Sequence, residues 1–223
     1  MNKVETMIPK KTNEDIKFHL ALLGSLAVVF CWSIVGCADF FTWCLEAFPV
    51  VIAVVVILFF YRIIRLTNIC YILIWIHAVI LLIGAHYTYA QVPVFNWLRD
   101  TFELSRNHYD RLGHFFQGFA PAIITREVLM LATPLKKGKW LSFIIVCICL
   151  AISAAYELLE WTVAEITSTA AEAFLGTQGD VWDSQKDMAW CLIGAIISLI
   201  LLSKLHDKQL KKNFIYRLKK GFA

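Results

Sequence analysis

The sequence predicts an all-helical membrane protein that crosses the bilayer six times. Of its 223 residues, 59% are hydrophobic and only 17% are charged, whereas a soluble domain has about 45–50% apolar residues. The apolar residues come in long blocks rather than in the alternation typical of a helix face or a strand. These observations exclude a soluble globular domain, a disordered chain and a disulfide-rich scaffold.

Each predicted helix comes from a block that is almost free of charged residues. A spanning helix needs about 20 apolar residues, because the hydrocarbon core is about 30 Å thick and each residue rises about 1.5 Å. The six predicted helices are Phe18–Ala38, Phe40–Tyr61, Ile69–Tyr89, Leu112–Thr125, Trp140–Tyr156 and Met188–Ser203. This pattern divides the chain into an N-terminal segment (1–17), a transmembrane domain (18–205) and a basic tail (206–223).

The basic residues alternate between the two ends of the predicted helices and so indicate the orientation. Lysine and arginine in short loops stay on the cytoplasmic side. They cluster before the first helix and after the second, fourth and sixth, whereas residues 162–187 hold five acidic residues and one lysine. Both termini are therefore predicted to lie in the cytoplasm. The net charge of +4 follows from this asymmetry. A basic C-terminal tail is typical of a segment that lies on anionic lipid, so the bilayer is the expected partner and nucleic acid is not.

Cys37 has two special interpretations, and both stay open. Residues 34–37 resemble the cleavage box of a bacterial lipoprotein signal, which would make Cys37 a lipidation site. Cys37 also lies near enough to Cys44, at the predicted oxidising face, to form a disulfide.

Three of the predicted helices are too short to span the membrane. They hold about 14 to 17 residues, which is about 21–25 Å of helix. Extending them to about 30 Å brings five carboxylates to membrane depth: Asp110, Glu127, Glu157, Glu160 and Asp187. A carboxylate there costs about 2.5–3.5 kcal/mol unless it finds a partner, a cavity or a proton. We therefore expect these side chains to face the interior of the bundle.

The predicted orientation brings histidines and carboxylates from four helices to the extracytoplasmic side. Asp110 and His114 are spaced i,i+4 and Glu157 and Glu160 are spaced i,i+3, so each pair shares a helix face. Such groups can hold a divalent ion such as Zn²⁺ or Mn²⁺. The predicted catalytic residues are Glu157, Glu160 and His114, and the predicted metal ligands are His86, Asp110, His114 and Asp187. The predicted binding residues are His86, Tyr87, Asp110, Arg111, Gln178, Asp180 and Asp183.

Three functions fit this set of residues. In the first, a metal polarises an amphipathic substrate and a glutamate activates water for hydrolysis or transfer. In the second, the carboxylates carry protons in a proton- or ion-coupled transporter, whose cytoplasmic half would use His77 and Glu127. In the third, the residues form a structural ion-pair network in which Arg111 is the only base. His77 alone is more typical of a hydrogen-bonded core histidine, and Arg126 is interpreted as a cytoplasmic anchor.

The polar stretch 175–187 precedes the sixth predicted helix. Two glycines around a polar pair favour a tight, ordered turn. Asp183 is a candidate cap for the helix, and the turn can also cover the pocket as a lid.

Several of these stretches together resemble the YjdF-like bacterial inner-membrane proteins, a family of unknown function. The stretches that carry the resemblance are Gly84–Tyr89, Tyr109–Phe119, Arg126–Glu127, Tyr156–Trp161 and Gly176–Met188. The resemblance covers about Ile16 to Leu205 and implies a polytopic protein of the bacterial plasma membrane, with no activity attached. A fainter similarity to VanZ-like membrane proteins rests on the acidic helix end, the Gln-bearing loop and the Asp before a final helix that contains Gly194.

Overall fold

The structure, a computed structural model, describes residues 13–167 and 177–219, with side chains described as far as Lys211. The first twelve residues of the N-terminal segment, residues 168–176 of the acidic loop and the last four residues of the tail lie outside the described part. Seven α-helices are described: α1 (Asn13–Ile34), α2 (Phe40–Phe60), α3 (Asn68–Tyr87), α4 (Pro93–Thr101), α5 (Tyr109–Ala132), α6 (Lys139–Thr167) and α7 (Asp183–Lys219).

Six of these helices are long and apolar enough to cross a membrane, which confirms the predicted all-helical, six-span fold. The three helices predicted to be short are full-length: α5 has 24 residues, α6 has 29, and the apolar part of α7 runs from Asp183 to Lys211. As predicted, lengthening places Glu127, Glu157 and Asp187 inside helices, and all three are buried. The charged residues that shorten the apolar blocks therefore belong to the interior of the bundle.

Backbone conformation explains where the helix ends differ from the predicted ones. The first helix stops at Ile34 rather than Ala38, because Gly36 adopts a left-handed φ of 69°. The third stops at Tyr87, and Thr88, with a φ of 58°, leads into a 3₁₀ turn at Tyr89–Gln91. The short helix α4 was not predicted; Pro93 begins it, where its missing N–H costs nothing.

Helices α5 and α7 form the axis of the bundle and pack together along much of their length. Glycines allow this close approach: a Cβ at Gly118 would overlap the Cys191 carbonyl, and a Cβ at Gly194 would overlap the Phe115 carbonyl. Small residues at such crossings are typical of membrane helices. Helix α6 packs on both α5 and α7, α3 packs on α5, and α1 and α2 each pack on α3.

The bundle has two ends, which we name for what they carry. The site end holds the connections after α1 and α3 and the described part of the α6–α7 connection; there the Ala38 N–H donates to the His86 carbonyl over 2.9 Å. The tail end holds the connections after α2 and α5; there the Ile69 N–H donates to Gln209 Oε1 over 3.1 Å. Helix α7 continues without a break into the predicted basic tail.

All seven cysteines lie in the described part of the chain and are free thiols. Cys37 is half-buried and Cys44 is exposed. The disulfide considered for this pair is therefore not formed in the structure.

Candidate functional site

One face of α5 carries the centre of the site. Asp110, His114 and Gln117 follow one another at helical spacing, so their side chains point the same way. His114 is buried, and its Nδ1 lies 3.0 Å from Gln117 Oε1. Its Nε2 lies 3.5 Å from Asp110 Oδ1 and 3.4 Å from Glu157 Oε1. The imidazole is thus held on one side by an amide and faces two carboxylates on the other.

Asp187 of α7 completes a compact group with Asp110 and His114. Each of the three residues offers one ligand atom, and these atoms all lie within 4.8 Å of one another. Asp187 Oδ1 is buried without a hydrogen-bond partner among the described residues, and Glu157 Oε1 makes no hydrogen bond there beyond its 3.4 Å contact with His114 Nε2. Buried polar atoms nearly always have partners in folded proteins, so these oxygens point to a missing donor or cation.

Helix α6 brings both predicted glutamates to this place. Glu157 and Glu160 are each only 9% exposed; Glu160 is spaced i,i+3 from Glu157 and i,i+4 from Tyr156, so it lies between them on the helix face. Glu157 faces His114, whereas Glu160 and Tyr156 line a neighbouring cavity. The structure therefore brings together the three predicted catalytic residues and three of the four predicted metal ligands.

Arg106, in the loop before α5, supplies positive charge beside the group. Its side chain is 3% exposed and bonds to Asp183, with Asp110 Oδ2 3.8 Å away and Asp180 Oδ2 3.9 Å away. The prediction that Arg111 is the only base among these acids is therefore wrong. Arg111 is 17% exposed and pairs with Asp180 over 2.8 Å at the outer edge of the site.

Residues 177–182, the described part of the loop before α7, form an ordered turn at the site end. The Asn107 N–H donates to Gln178 Oε1 over 2.9 Å, and Gln178 Nε2 donates to the Asn107 carbonyl over 3.0 Å. Gln178 adopts a φ of 48° and Gly179 a φ of 84°, which gives the tight turn that the glycines predict. Gln178 therefore ties two loops together. Hydrogen bonds from Lys186 lower the pKa of Asp180, which anchors the same turn.

A cavity of about 170 Å³ lies next to the His114 group and reaches into the bundle. Its polar lining includes Glu46 of α2 and His77 of α3, and its remaining wall includes two helix-interior prolines, Pro49 and Pro121. A proline inside a helix removes one backbone hydrogen bond and displaces a carbonyl. Each proline therefore removes one helical hydrogen bond in the wall of the cavity, Pro49 in α2 and Pro121 in α5.

Glu46 is the main residue of this cavity that sequence reasoning did not assign to the site. It is 1% exposed, and although the Tyr89 backbone N–H approaches it, neither carboxylate oxygen has a hydrogen-bond partner among the described residues. Two causes raise the pKa of Tyr89: mainly its burial, and to a smaller extent the nearby Glu46. The Tyr89 phenol therefore stays protonated. A single carboxylate in an otherwise apolar span was the signal that could have identified Glu46.

Comparison with known proteins places this architecture in a family. The family described as "Predicted membrane protein (DUF2238)" matches residues 18–208, which is nearly the whole membrane domain. The chain belongs to the DUF2238 family. A curated DUF2238 relative, the inner membrane protein YjdF of Escherichia coli K12, is 43% identical over 188 residues, covering 84% of this chain and 90% of the relative. No solved structure matches the chain.

The DUF2238 match and the six spans identify a multi-pass protein of the bacterial inner membrane, as the sequence predicts. The matched region contains every described residue of the site end, from Glu46 to Asp187. It also contains the buried polar residues of the tail end, as far as Asp207.

In this DUF2238 protein, two of the predicted binding residues lie apart from the His114 group. The ring of His86 stacks on Trp32 at 4.4 Å, and its Nδ1 is 3.1 Å from the Ser33 carbonyl. Tyr87 packs edge-on against both of these rings. His86 does not complete the metal-ligand group that the described residues form, so α3 contributes His77 rather than His86 to the cavity.

The DUF2238 fold holds a second buried polar cluster at the tail end, which we call the tail-end network. Glu127 accepts hydrogen bonds from Thr67 Oγ1 (2.6 Å), Cys70 Sγ (3.1 Å) and His206 Nε2 (2.9 Å). Arg126 donates to His206 Nδ1 and to Asp207, each over 2.8 Å. The interpretation of Arg126 as a simple cytoplasmic anchor is therefore incomplete, because its side chain is buried and paired.

Cys70, Glu127 and His206 are also close enough together to hold a metal ion. The hydrogen bonds argue against that use. Because Arg126 donates to Nδ1 of His206, the proton of the neutral imidazole lies on Nε2, where it donates to Glu127. No lone pair of His206 is left for a metal, so the network is complete as it stands.

Proposed function

We propose that the site end binds a divalent metal ion and that the protein hydrolyses or transfers part of an amphipathic membrane substrate. The observation that carries this proposal is the convergence of ligand atoms from Asp110, His114 and Asp187 within 4.8 Å of one another. Carboxylate oxygens and a neutral imidazole are ligands that Zn²⁺ and Mn²⁺ accept.

The hydrogen bonds around His114 fit a ligand role. With Gln117 Oε1 at 3.0 Å from Nδ1, an Nδ1–H donates to the amide oxygen and leaves the lone pair on Nε2, which faces Asp110 and Glu157. Such a second contact fixes the tautomer of a metal-bound histidine. The buried oxygens of Asp187 and Glu157 that lack donors are the kind of acceptors that a cation would satisfy.

The remaining residues have chemical roles beside this group. A bound divalent ion polarises a substrate oxygen or lowers the pKa of a water molecule. Glu157, whose oxygen lies 3.4 Å from His114 Nε2, is placed to take a proton from such a water. Glu160 and Tyr156 line the cavity on the same face of α6, where they can bind a polar group of the substrate.

Elemental analysis of the purified protein tests the metal. We expect about one equivalent of zinc or manganese in the wild type and a loss of most of it in His114→Gln and Asp187→Asn. The matched control is Glu165→Gln, which removes an exposed carboxylate of α6 outside the group. Absence of stoichiometric metal from well-folded wild-type protein would remove this proposal.

Proton- or ion-coupled transport is a second candidate, and one observation favours it. His77 lies ten residues before the end of α3, about 15 Å into the bundle, and lines the same cavity as Glu46 and Glu160. Glu127, the other residue considered for this route, is fully partnered in the tail-end network. Flux in proteoliposomes under a pH gradient tests this candidate. Flux that is the same in wild type and Glu160→Gln would exclude the carboxylate relay.

We infer from the charge asymmetry that the site end faces away from the cytoplasm. Residues 162–187 carry five acidic residues and one lysine, whereas basic residues follow α2 and α5. Reporter fusions after Lys139 and after residue 176 should therefore report opposite sides of the membrane. Two fusions on the same side would contradict this orientation.

A further inference from the structure

The cavity beside His114 opens between two helices that do not pack extensively on each other. Helix α2 packs on α3, and α6 packs on α5 and α7. Since α3 and α5 pack together, they form the floor of a cleft whose walls are α2 and α6. Lining residues from all four helices, Glu46, Leu81, Pro121 and Ile152, agree with this arrangement.

The mouth of this cleft lies at the level of the lipid hydrocarbon. Glu46 is six residues into α2, about 9 Å from its start, and His77 is about 15 Å from the end of α3. Both depths fall within a hydrocarbon core about 30 Å thick. Ile152, which lines the cavity, is 45% exposed, and Phe48, which precedes the lining residue Pro49 on α2, is 55% exposed. Apolar side chains exposed at this depth contact acyl chains, so the mouth faces lipid.

The interior of the cleft, by contrast, is polar and acidic. Glu46, Asp110 and Glu160 line it, together with the two histidines His77 and His114. Glu46 is the strongest sign of a ligand. Its side chain is almost fully buried, with 1% exposed, and neither carboxylate oxygen has a hydrogen-bond donor among the described residues. A buried carboxyl group without a partner takes up a proton and stays neutral, whereas a cation or hydrogen-bond donors beside it allow it to ionise. The complementary group is an amine.

We infer that a membrane lipid with a primary amine in its head group enters this cleft sideways between α2 and α6. The amine pairs with Glu46, and the acyl chains stay in the bilayer beside Pro49 and Ile152, which line the α2 and α6 sides of the cavity. This inference rests on the proposed function and names the class of its substrate. An amphipathic molecule that diffuses in the membrane reaches His114 by this route without leaving the hydrocarbon.

Photolabelling in lipid nanodiscs tests the inference. Two probes with the same diazirine-bearing acyl chain are compared, one with an ethanolamine and one with a glycerol head group. We expect the ethanolamine probe to label the segments around Phe48 and Ile152 at least threefold more than the glycerol probe. Glu46→Gln should reduce this ratio to about one, because the amide carries no charge to pair with the amine.

A second pair of variants tests the route. Ile152→Trp fills the mouth and should remove most of the labelling around Phe48, whereas Ile200→Trp, at a 71% exposed position of α7, should leave it unchanged. Equal labelling by the two probes, or equal effects of the two tryptophans, would overturn the inference. Metal content is measured on the same samples. Head-group preference without metal would defeat the proposed function alone, and metal without preference would defeat this inference alone.

Discussion

The two polar clusters share helices α5 and α7 but differ in how completely their hydrogen bonds are made. In the tail-end network, Glu127 and His206 are buried and every one of their side-chain nitrogen and oxygen atoms has a partner. At the site end, Glu46, Glu157 and Asp187 are also buried, yet each has at least one oxygen that accepts no hydrogen bond from the described residues.

This difference separates a structural role from a binding role. An unpaired buried polar group costs about 1–3 kcal/mol, and more when it is charged. A complete network stabilises the fold and needs nothing else. An incomplete cluster persists because the rest of the fold is stable enough to offset the free energy of the unpaired groups. A ligand that supplies the missing partner removes this unfavourable free energy, which favours its binding. Substitutions of the fully bonded Glu127 and of the donor-lacking Glu46 should therefore have opposite effects on stability, whereas the paired Arg106 of the site end should behave as a structural residue.

The largest expected effect is at Glu127. Glu127→Ala removes the acceptor for Thr67, Cys70 and His206 together, and breaking a buried charged network typically costs about 3–5 kcal/mol. Thermal unfolding in detergent should show a large fall in Tm. Glu165→Ala, at an exposed position of α6, is the control and should leave Tm within about a degree. Equal stability of the two variants would mean that the tail-end network does not hold the bundle together.

The second largest loss of stability is expected at Arg106 of the site end. Arg106 is more buried than Arg111, so the two arginines should differ in their effect on the free energy of unfolding. Arg106→Ala leaves the buried Asp183 without its partner and should cost about 3 kcal/mol. Arg111→Ala should cost about 1 kcal/mol or less, because Asp180 keeps its bond to Lys186. Denaturation of both variants under the same conditions gives the ranking. A reversed ranking would show that the outer pair, not the buried one, secures the loop.

A smaller effect of opposite sign is expected at Glu46. Glu46→Gln keeps the shape of the side chain and removes a buried charge that lacks a donor, so it should stabilise the protein by about 1 kcal/mol in the absence of ligand. The matched comparison is Glu127→Gln, which should destabilise because an amide nitrogen would face the donors of Thr67 and His206. If both glutamines destabilise alike, Glu46 has a partner after all and the contrast between the two ends is lost.

The smallest effect is a pH dependence of the loop anchor Asp180. Hydrogen bonds from Lys186 hold its pKa below the ordinary value of 3.8. A lowered carboxylate pKa stabilises the folded state above the ordinary value, and this stabilisation is lost as pH falls through the folded-state pKa. Asp180→Asn should therefore lower Tm slightly at pH 7, and its Tm should approach that of the wild type as the pH falls below 3.8 and through the folded-state pKa. A Tm difference that stays constant across this range would exclude the linkage.

Much of the fold is predictable from the sequence because the membrane imposes a strong pattern. The six spans and the burial of the carboxylates of α5, α6 and α7 follow from length, hydropathy and the cost of charge in hydrocarbon. The partners do not follow. Arg126 pairs with Asp207, 81 residues away, and Arg106 with Asp183, 77 residues away. Such pairs depend on how helices pack, which no local spacing specifies.

The same limit explains why the sequence does not assign Glu46 and His77 to the predicted site. Neither has another ionisable residue at the i±3 or i±4 positions, so no spacing indicates a shared face. The predicted site was assembled from pairs such as Asp110 and His114. The sequence assigns His86 to the site because it lies at the extracytoplasmic end of the third predicted helix. In the structure, however, the side chain of His86 faces α1, where its Nδ1 contacts the Ser33 carbonyl.

The glycine-mediated contact between α5 and α7 has a consequence for how the protein is made. Helix α7 follows the other five spans in the chain, so during synthesis it enters the membrane after them. It carries Asp187 for one cluster and His206 for the other. Until Gly194 docks against α5, Glu127 lacks its partner His206, and the group of Asp110 and His114 lacks Asp187. The docking of this one helix therefore completes both polar clusters at once, so assembly of the site end and of the tail end is coupled through a single helix contact.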